Sequence, residues 1–450
     1  MSNSTICALA SGAGGAVALV RVSGPQALLL LQKLVGTQTS FEPRKQVFCA
    51  IYDGETLLDK ALVTYFQAPR SFTGEDVVEF ALHASPYIKG RLLELLCQNG
   101  AVPARRGEFS QRAFLNGKMD LVEAQGLCDL IAAGNKSAHD LAMRSLDGKM
   151  SERLQTVKQK LATLLAQIEV RLDDVDEEMT LLSDEFIATE ITAVLEPVRA
   201  LADTFSVGRL IKEGVKVAIV GVPNSGKSSL LNALVGFDRA IVADACGTTR
   251  DTVEETLEIN GQKIILTDTA GIRGHALDPA EQEGMRRSRR AMEQADVILF
   301  VQDASCLPTA EETALWEEVK KQNKRTYLVR NKTDKPAAQT ALTGAENIPA
   351  ITVSCKTGAG LNELKNQLVC ELEKPQTADG LMISNLRHYE ALLRAQTELE
   401  SALLRLQTHS GGEIYAEHIR GALTHLKELI GEVTPDDVLG IIFSQFCMGK

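Results

Sequence analysis

The stretch Gly221-Val222-Pro223-Asn224-Ser225-Gly226-Lys227-Ser228 constrains this chain more than any other, because G-x-x-x-x-G-K-S works in only one local setting. An apolar, β-branched run, Val215 to Val220, precedes it and reads as a buried strand. Ser229-Leu230-Leu231-Asn232-Ala233-Leu234 follows and reads as the first turns of a helix. In that setting glycines let backbone amides converge on phosphates, and the helix N-terminus adds partial positive charge. Lys227 reaches the β/γ oxygens, and the Ser228 hydroxyl can ligate Mg²⁺. The strand–loop–helix order predicts a nucleoside triphosphate site, with Asn224, Ser225, Gly226, Lys227, Ser228 and Ser229 around the phosphates.

A chain of 450 residues holds roughly two to four domains. No apolar stretch reaches the length of a bilayer-spanning helix, so no membrane partner is expected. Ile6 to Val20 is apolar, but no Lys or Arg precedes it and Gly12, Gly14 and Gly15 interrupt it. It reads as strand–glycine turn–strand, not as a signal peptide. Nine cysteines without C-x-x-C spacing or a Cys/His cluster predict reduced thiols in a cytoplasmic protein. The net charge of −11 argues against wholesale nonspecific nucleic-acid binding and leaves room for a local basic patch.

From residue 212 to 374 strand-like and helix-like segments alternate, as in a doubly wound α/β domain. The expected strands are Val215–Val220, Val253–Ile259, Lys263–Thr267, Val297–Gln302, Thr326–Arg330 and Ala350–Val353. Asp268-Thr269-Ala270-Gly271 closes the third of these. In such a place an Asp holds Mg²⁺ through water and a Gly amide contacts the γ-phosphate. D-x-x-G alone is a common turn, but after a phosphate loop it points to a switch GTPase. Asn331-Lys332-Thr333-Asp334 closes the fifth strand, and its Asp carboxylate can take two hydrogen bonds from guanine. ATP would leave that carboxylate unpaired, which gives large discrimination. Ser354-Cys355-Lys356 matches the loop that backs the base, with Ser354 and Lys356 as its contacts. Thr248 and Thr249 fill the first switch, and Thr249 is the better candidate for sensing Mg²⁺ and the γ-phosphate. Ile272 stands where a water-orienting Gln would be expected, so the catalytic group comes from elsewhere. Asp278, Glu281 and Glu283 are the nearby carboxylates, and from the residues alone they read as solvated loop charges.

Outside this domain, Leu154, Val157, Leu161, Leu164, Leu165, Ile168 and Leu172 fall on one helical face. Leu392, Leu399, Leu403 and Leu406 mark a second helix, and Ile419, Leu423, Leu426 and Ile430 a third. These stripes read as bundle core, and the acidic run Asp173 to Glu178 as a solvated helix end. Residues 1–118 show short strand-like runs (Ala16–Val22, Val47–Ile51, Ala61–Tyr65) with Gly and Pro turns, a separate α+β domain.

Several segments together resemble one family. They are Val20-Arg21-Val22-Ser23-Gly24-Pro25, Ser71-Phe72-Thr73-Gly74-Glu75-Asp76-Val77-Val78-Glu79, the run from Gly107 through Glu108-Phe109-Ser110 to Lys118, and the terminal Phe446-Cys447-Met448-Gly449-Lys450. In this order around an inserted G domain, they resemble the bacterial tRNA modification GTPases MnmE, also called TrmE. The resemblance implies a G domain at 212–374 inserted in an α-helical bundle domain (119–211 and 375–450). At 1–118 it implies a tetrahydrofolate-binding-like domain that also makes a homodimer. Residue by residue it implies that Arg21, Glu79, Lys118 and Lys450 contact a folate derivative. A Glu suits the pterin amine and ring N–H, and Arg or Lys suit the glutamate carboxylates. It further implies a K⁺ ligated by Asn224, by carbonyls near Ala243 and Ala245, and by Thr248, and it makes Glu281 the water-orienting residue beside the catalytic Lys227. Cys447 is either a functional thiol near the folate or a buried structural one.

Two segments depart from the family pattern. The opening reads Ala10-Ser11-Gly12-Ala13-Gly14-Gly15 without a double proline, and Ala81-Leu82-His83-Ala84-Ser85 stands where His-Cys-His-Gly-Gly is usual. The implied activity is potassium-activated GTP hydrolysis. It acts with an FAD-dependent MnmG-like partner to add an aminomethyl or carboxymethylaminomethyl group at carbon 5 of the wobble uridine of certain tRNAs. The main rival is an Era-like ribosome-assembly GTPase, but no basic RNA-binding module is visible in the sequence. A folate-dependent aminomethyltransferase with a vestigial G domain conflicts with the intact nucleotide motifs.

Overall fold

Alternation along Val17-Ala18-Leu19-Val20-Arg21-Val22-Ser23 makes a strand with one face for a core and another for chemistry. The computed structural model describes residues 4–12, 14–35, 40–173, 183–237, 254–268, 289–336, 348–370, 380–409, 411–433, 436–444, 446 and 449. It divides into two compact units. One comprises Met1–Cys128, Ser145–Ala162 and Arg420–Lys450, and the other Asp129–Arg144 and Thr163–Ile419.

The first unit holds six strands: β1 (Ile6–Leu9), β2 (Val17–Ser23), β3 (Gln46–Asp53), β4 (Thr56–Phe66), β5 (Val77–His83) and β6 (Val102–Pro103). They form one sheet in the order β3-β4-β5-β2-β1-β6. All neighbours pair antiparallel except β1 with β6. Ala18, Val20 and Val22 of β2 and Val78, Phe80 and Leu82 of β5 join a core with Leu30, Leu31, Leu92 and Leu96 from helices Ala27–Val35 and Pro86–Gln98. The expected strand–glycine turn–strand at Ile6 to Val20 is β1 and β2. On the opposite face, Arg21 of β2 stands in register with Glu79 of β5. There Ile6, Ala8, Ala104 and Phe109 form a smaller core with Phe72 packed against it.

Two of the resembling segments are tied to each other beside that face. Arg112, 7% exposed, donates to Ser4 O (2.8 Å), to both carboxylate oxygens of Glu75 (3.2 Å each) and to Glu108 Oε1 (3.0 Å). Glu75 accepts from Ser23 Oγ (2.7 Å), and Asn116 Nδ2 donates to Thr73 O (2.8 Å). Burial disfavours the charged form of Glu108, but the Arg105 amide and the Arg112 guanidinium outweigh it and hold the carboxyl below its ordinary range.

The second unit contains β7 (Val215–Val220), β8 (Glu254–Ile259), β9 (Gln262–Asp268), β10 (Val297–Asp303), β11 (Arg325–Asn331) and β12 (Ala350–Thr352). Their order is β12-β11-β10-β7-β9-β8, and all pairs are parallel except β8 with β9. Each expected strand is present within a residue or two. Both faces of β7 are buried: Val215, Val217 and Ile219 enter one core, Ala218 and Val220 the other. That explains why the inner strands β7 and β10 read as nearly continuous apolar runs, broken in β7 only by exposed Lys216. The second core closes over Trp316, whose ring meets Phe300 edge-on at 4.9 Å.

The helical stripes are core as expected, with two corrections. In helix Lys149–Asp173 residues Leu154 through Ile168 of the stripe are buried, but Leu172 is 38% exposed. In helix Leu386–Gln407 it is Ala402 that is buried, and Leu403 is only half-buried. Ile419, Leu423, Leu426 and Ile430 of helix Gly412–Ile430 are all buried. Of the acidic run, residues 174–178 lie outside the described residues.

Replacing Arg112 with Met strands two carboxylates, and breaking such a buried group costs about 3 kcal/mol. Native-state hydrogen exchange of β2 and β5 amides in Arg112→Met is expected to quicken by about 100-fold.

Candidate functional site

In a doubly wound sheet, ligands bind outside the carboxyl ends of the strands, where the loops leave the sheet. β7 ends at Val220 and runs into the phosphate loop, from which helix Lys227–Phe237 departs. β9 ends on Asp268, β10 on Asp303 and β11 on Asn331, and Ser354 follows β12 closely. Parallel register therefore brings every described nucleotide-site residue to one edge.

Within the phosphate loop, Lys227 is 7% exposed and donates to Gly221 O (2.7 Å) and Val222 O (2.9 Å). Burial pulls its ammonium below the ordinary lysine pKa, while the charges of Asp268 and Glu311 pull the other way. Ser228 Oγ donates to Asp268 Oδ2 at 3.1 Å. A hydroxyl and a carboxylate at that spacing are hard oxygen donors, the set that Mg²⁺ takes. Ser225 is buried, whereas Asn224 and Ser229 are exposed.

Two bonds tie the phosphate loop to the base loop. Asn331 Nδ2 donates to Ser225 O (3.2 Å), and Lys332 Nζ donates to Asn224 O (2.7 Å). Asn331 Oδ1 in turn accepts from the Lys332 amide (2.8 Å) and the Cys355 amide (3.4 Å). The loops approach so closely that a Cβ on Gly226 would lie 2.1 Å from Asn331 Nδ2. Gly226 also has φ +100°, so glycine is required there on two counts.

Asp334 is exposed, and its Oδ1 accepts from Ser354 Oγ at 2.9 Å. That bond holds the carboxyl below its ordinary range, and the positive charge of Lys356 acts in the same direction. Thr333 Oγ1 donates to Val353 O (3.0 Å), which fixes the base loop against the last strand. The result is an ionised carboxylate with one edge anchored and the other open, a geometry suited to a base carrying adjacent N–H donors.

Thr248, Thr249, Thr269, Ala270, Gly271, Ile272, Asp278, Glu281 and Glu283, with Ala243 and Ala245, lie outside the described residues. Asn224 is thus the one described member of the expected potassium set. Among the described residues, no group of three or more His, Cys, Asp or Glu could hold a metal ion. No described helix is long and apolar enough to cross a membrane.

The second expected site is brought together in part. Arg21 donates to Glu79 Oε1 through both Nε and a terminal nitrogen, each at 2.8 Å. Its guanidinium lies 5.1 Å from the ring centre of Phe72 and 5.7 Å from that of Phe109, and it also donates to Gly449 O (3.3 Å). A Cβ on Gly449 would lie 2.2 Å from Leu9 O, so Gly449 sits tight against β1. Lys118 is exposed and donates to Pro69 O (3.2 Å). Cys447 and Lys450 lie outside the described residues.

Sequence reasoning missed the aromatic pair around Arg21 and missed Asp303, which binds Lys332 Nζ at 2.6 Å. Phe72 and Phe109 lie inside the segments that carry the resemblance, but an aromatic ring without charge gives no sign in sequence of a binding role. The signal for Asp303 was available: like Asp268, it is an acid closing an apolar strand.

Two family models match the chain: the TrmE GTP-binding protein N-terminus over residues 5–118, and the MnmE helical domain over residues 121–447. The tRNA modification GTPase MnmE of Alkalilimnicola ehrlichii is 42% identical over 452 residues, covering 100% of both chains. That of Acinetobacter baylyi is 41% identical over 451 residues, covering 99% of this chain and 96% of its own. Among solved structures, Era of Aquifex aeolicus bound to GDP and AlF4⁻ is 30% identical, covering 40% of this chain and 65% of its own at a TM-score of 0.29. Full-length identity to these relatives and both family models agree: the chain belongs to the MnmE (TrmE) family of tRNA modification GTPases.

Proposed function

We propose that this chain hydrolyses GTP in a potassium-activated cycle that serves modification of carbon 5 of the wobble uridine in certain tRNAs. The observation that carries the GTP reading is the convergence at one sheet edge of Lys227, the Ser228–Asp268 pair, Asn331, Lys332 and the Ser354-anchored Asp334. The tRNA reading is supported by the names of the full-length relatives.

Each residue has a chemical task in this reading. Asp334 accepts from the guanine ring N–H and exocyclic amine, and the stem of Lys332 passes beside the base. Lys227 transfers its donors from loop carbonyls to the β/γ oxygens, where charge develops as the phosphoryl group leaves. Ser228 and Asp268 would hold Mg²⁺, which supplies charge neutralisation at the phosphates. Thr249 would sense the γ-phosphate, Asn224 and Thr248 with the carbonyls of Ala243 and Ala245 would hold K⁺, and Glu281 would orient water. The flat, aromatic-flanked Arg21–Glu79 pair fits one end of a folate derivative, with Lys118 and Lys450 as further contacts. A homodimer, an FAD-carrying MnmG-like protein and a cytoplasmic setting complete the proposal.

Nucleoside analysis of total tRNA from cells lacking this protein tests the assignment: wobble uridines should lose their carbon-5 aminomethyl-type groups. Unchanged uridines would favour a ribosome-assembly role. GTP turnover should be about tenfold or more faster in K⁺ than in Na⁺, and equal rates would remove the potassium mechanism.

Asp334→Asn swaps an acceptor for a donor at the guanine amine. It should weaken GTP binding by about 100-fold or more and shift preference toward xanthosine triphosphate. The wild-type preference for GTP over ATP has a defined pH range. Asp334 titrates below the ordinary carboxylate range, so it is ionised throughout pH 5–8. Discrimination measured by competition binding should therefore stay flat over that interval and fall only in stronger acid.

A further inference from the structure

We infer that Asp303 is a positioning residue for the guanine nucleotide, holding Lys332 so that the base loop stays locked to the phosphate loop. The inference rests on the guanine reading of this site. Parallel pairing of β10 with β11 puts Asp303 directly beside Asn331, and the ladder continues one step further with Ala304 N donating to Asn331 O at 2.9 Å. Strand register thus delivers an acid to the base loop that the four recognised nucleotide motifs do not include.

The carboxylate is itself fixed. Ser305 donates to Asp303 Oδ1 from both its amide (3.0 Å) and its hydroxyl (2.6 Å), which leaves Oδ2 for Lys332 Nζ at 2.6 Å. Neither side chain is freely solvated, at 19% and 28% exposure. Burial disfavours ionisation of Asp303, but the bonds from Lys332 and Ser305 outweigh it and hold the carboxyl below its usual range. Glu312 behaves oppositely: burial raises its pKa, and the nearby charge of Asp303 raises it further. Asp303 is the acid that the geometry sets against the ammonium.

Lys332 needs such a tether. Its backbone sits at φ +65°, a region that costs a non-glycine residue energy unless its surroundings hold it there. The same Nζ also donates to Asn224 O, so one ammonium spans β10, the base loop and the phosphate loop. Without Asp303 the ammonium keeps, among the described residues, only the neutral Asn224 carbonyl, and the four-carbon stem is freer to swing. Asp334, two residues further on, then loses its fixed distance from the phosphate loop.

Stopped-flow release of N-methylanthraniloyl-GDP from the full-length protein tests this. Asp303→Asn should speed release and raise the KM for GTP by about 10- to 100-fold, with kcat at saturation changed by no more than about twofold. Asp303→Glu should recover part of the loss. In a Lys332→Met background Asp303→Asn should add nothing, because the effect passes through Lys332. Wild-type release from Asp303→Asn, a matching fall in kcat, or full additivity with Lys332→Met would each overturn the inference. Should Asp303→Asn fail to fold, Ser305→Ala removes only the anchoring hydroxyl and should quicken release by about threefold; no change there would count against it equally. A wild-type protein that fails to bind the probe would instead overturn the guanine reading beneath the inference.

Discussion

A strand buried on both faces can present polar chemistry only at its ends, and that constraint organises the second unit. β7 gives its side chains to two cores, so the backbone must leave the sheet at Val220 before any polar group can meet a ligand. Because β9, β10 and β11 run parallel to it, their own polar residues emerge at the same edge. Asp268, Asp303 and Asn331 are the last residues of their strands for this reason. The site is a product of sheet direction before it is a product of any single motif.

The first unit solves the placement problem differently. Its sheet is largely antiparallel and its strands alternate, so one face builds a core with helices while the other carries charge. Arg21 and Glu79 meet because cross-strand register puts them opposite each other. Their surroundings are fixed by a buried network in which Arg112 joins the loop containing Thr73 and Glu75 to the helix carrying Glu108. The segments that read as a family signature are therefore largely scaffold: Arg112, Glu75 and Asn116 hold the loop from which Phe72 reaches Arg21.

Legibility from sequence followed the physics of each unit. In the mostly parallel sheet, largely apolar runs such as Val215–Val220 and Val297–Gln302 are strong signals, and the motif residues stand at or just beyond the strand ends. The phosphate loop, Asp334 and Ser354 were readable because their chemistry demands particular residue types at particular strand ends. The amphipathic helices were readable by period, except at Leu172 near a helix end and at Leu403, where Ala402 takes the buried place. Pairings between distant segments left no periodic trace: nothing local announces that Arg112 meets Glu75, or that Asp303 meets Lys332. Charge in a sequence identifies a candidate, whereas its partner is decided by register.

The close approach of Gly226 to Asn331 has a consequence for how this site can change over generations. A side chain at 226 would be relieved only by shrinking or displacing residue 331, yet the Asn331 amide is what grips Ser225. The usual route of paired compensation, one residue growing as its neighbour shrinks, is therefore closed at this contact. The packing constrains positions 226 and 331 as a pair, each fixing what the other can be.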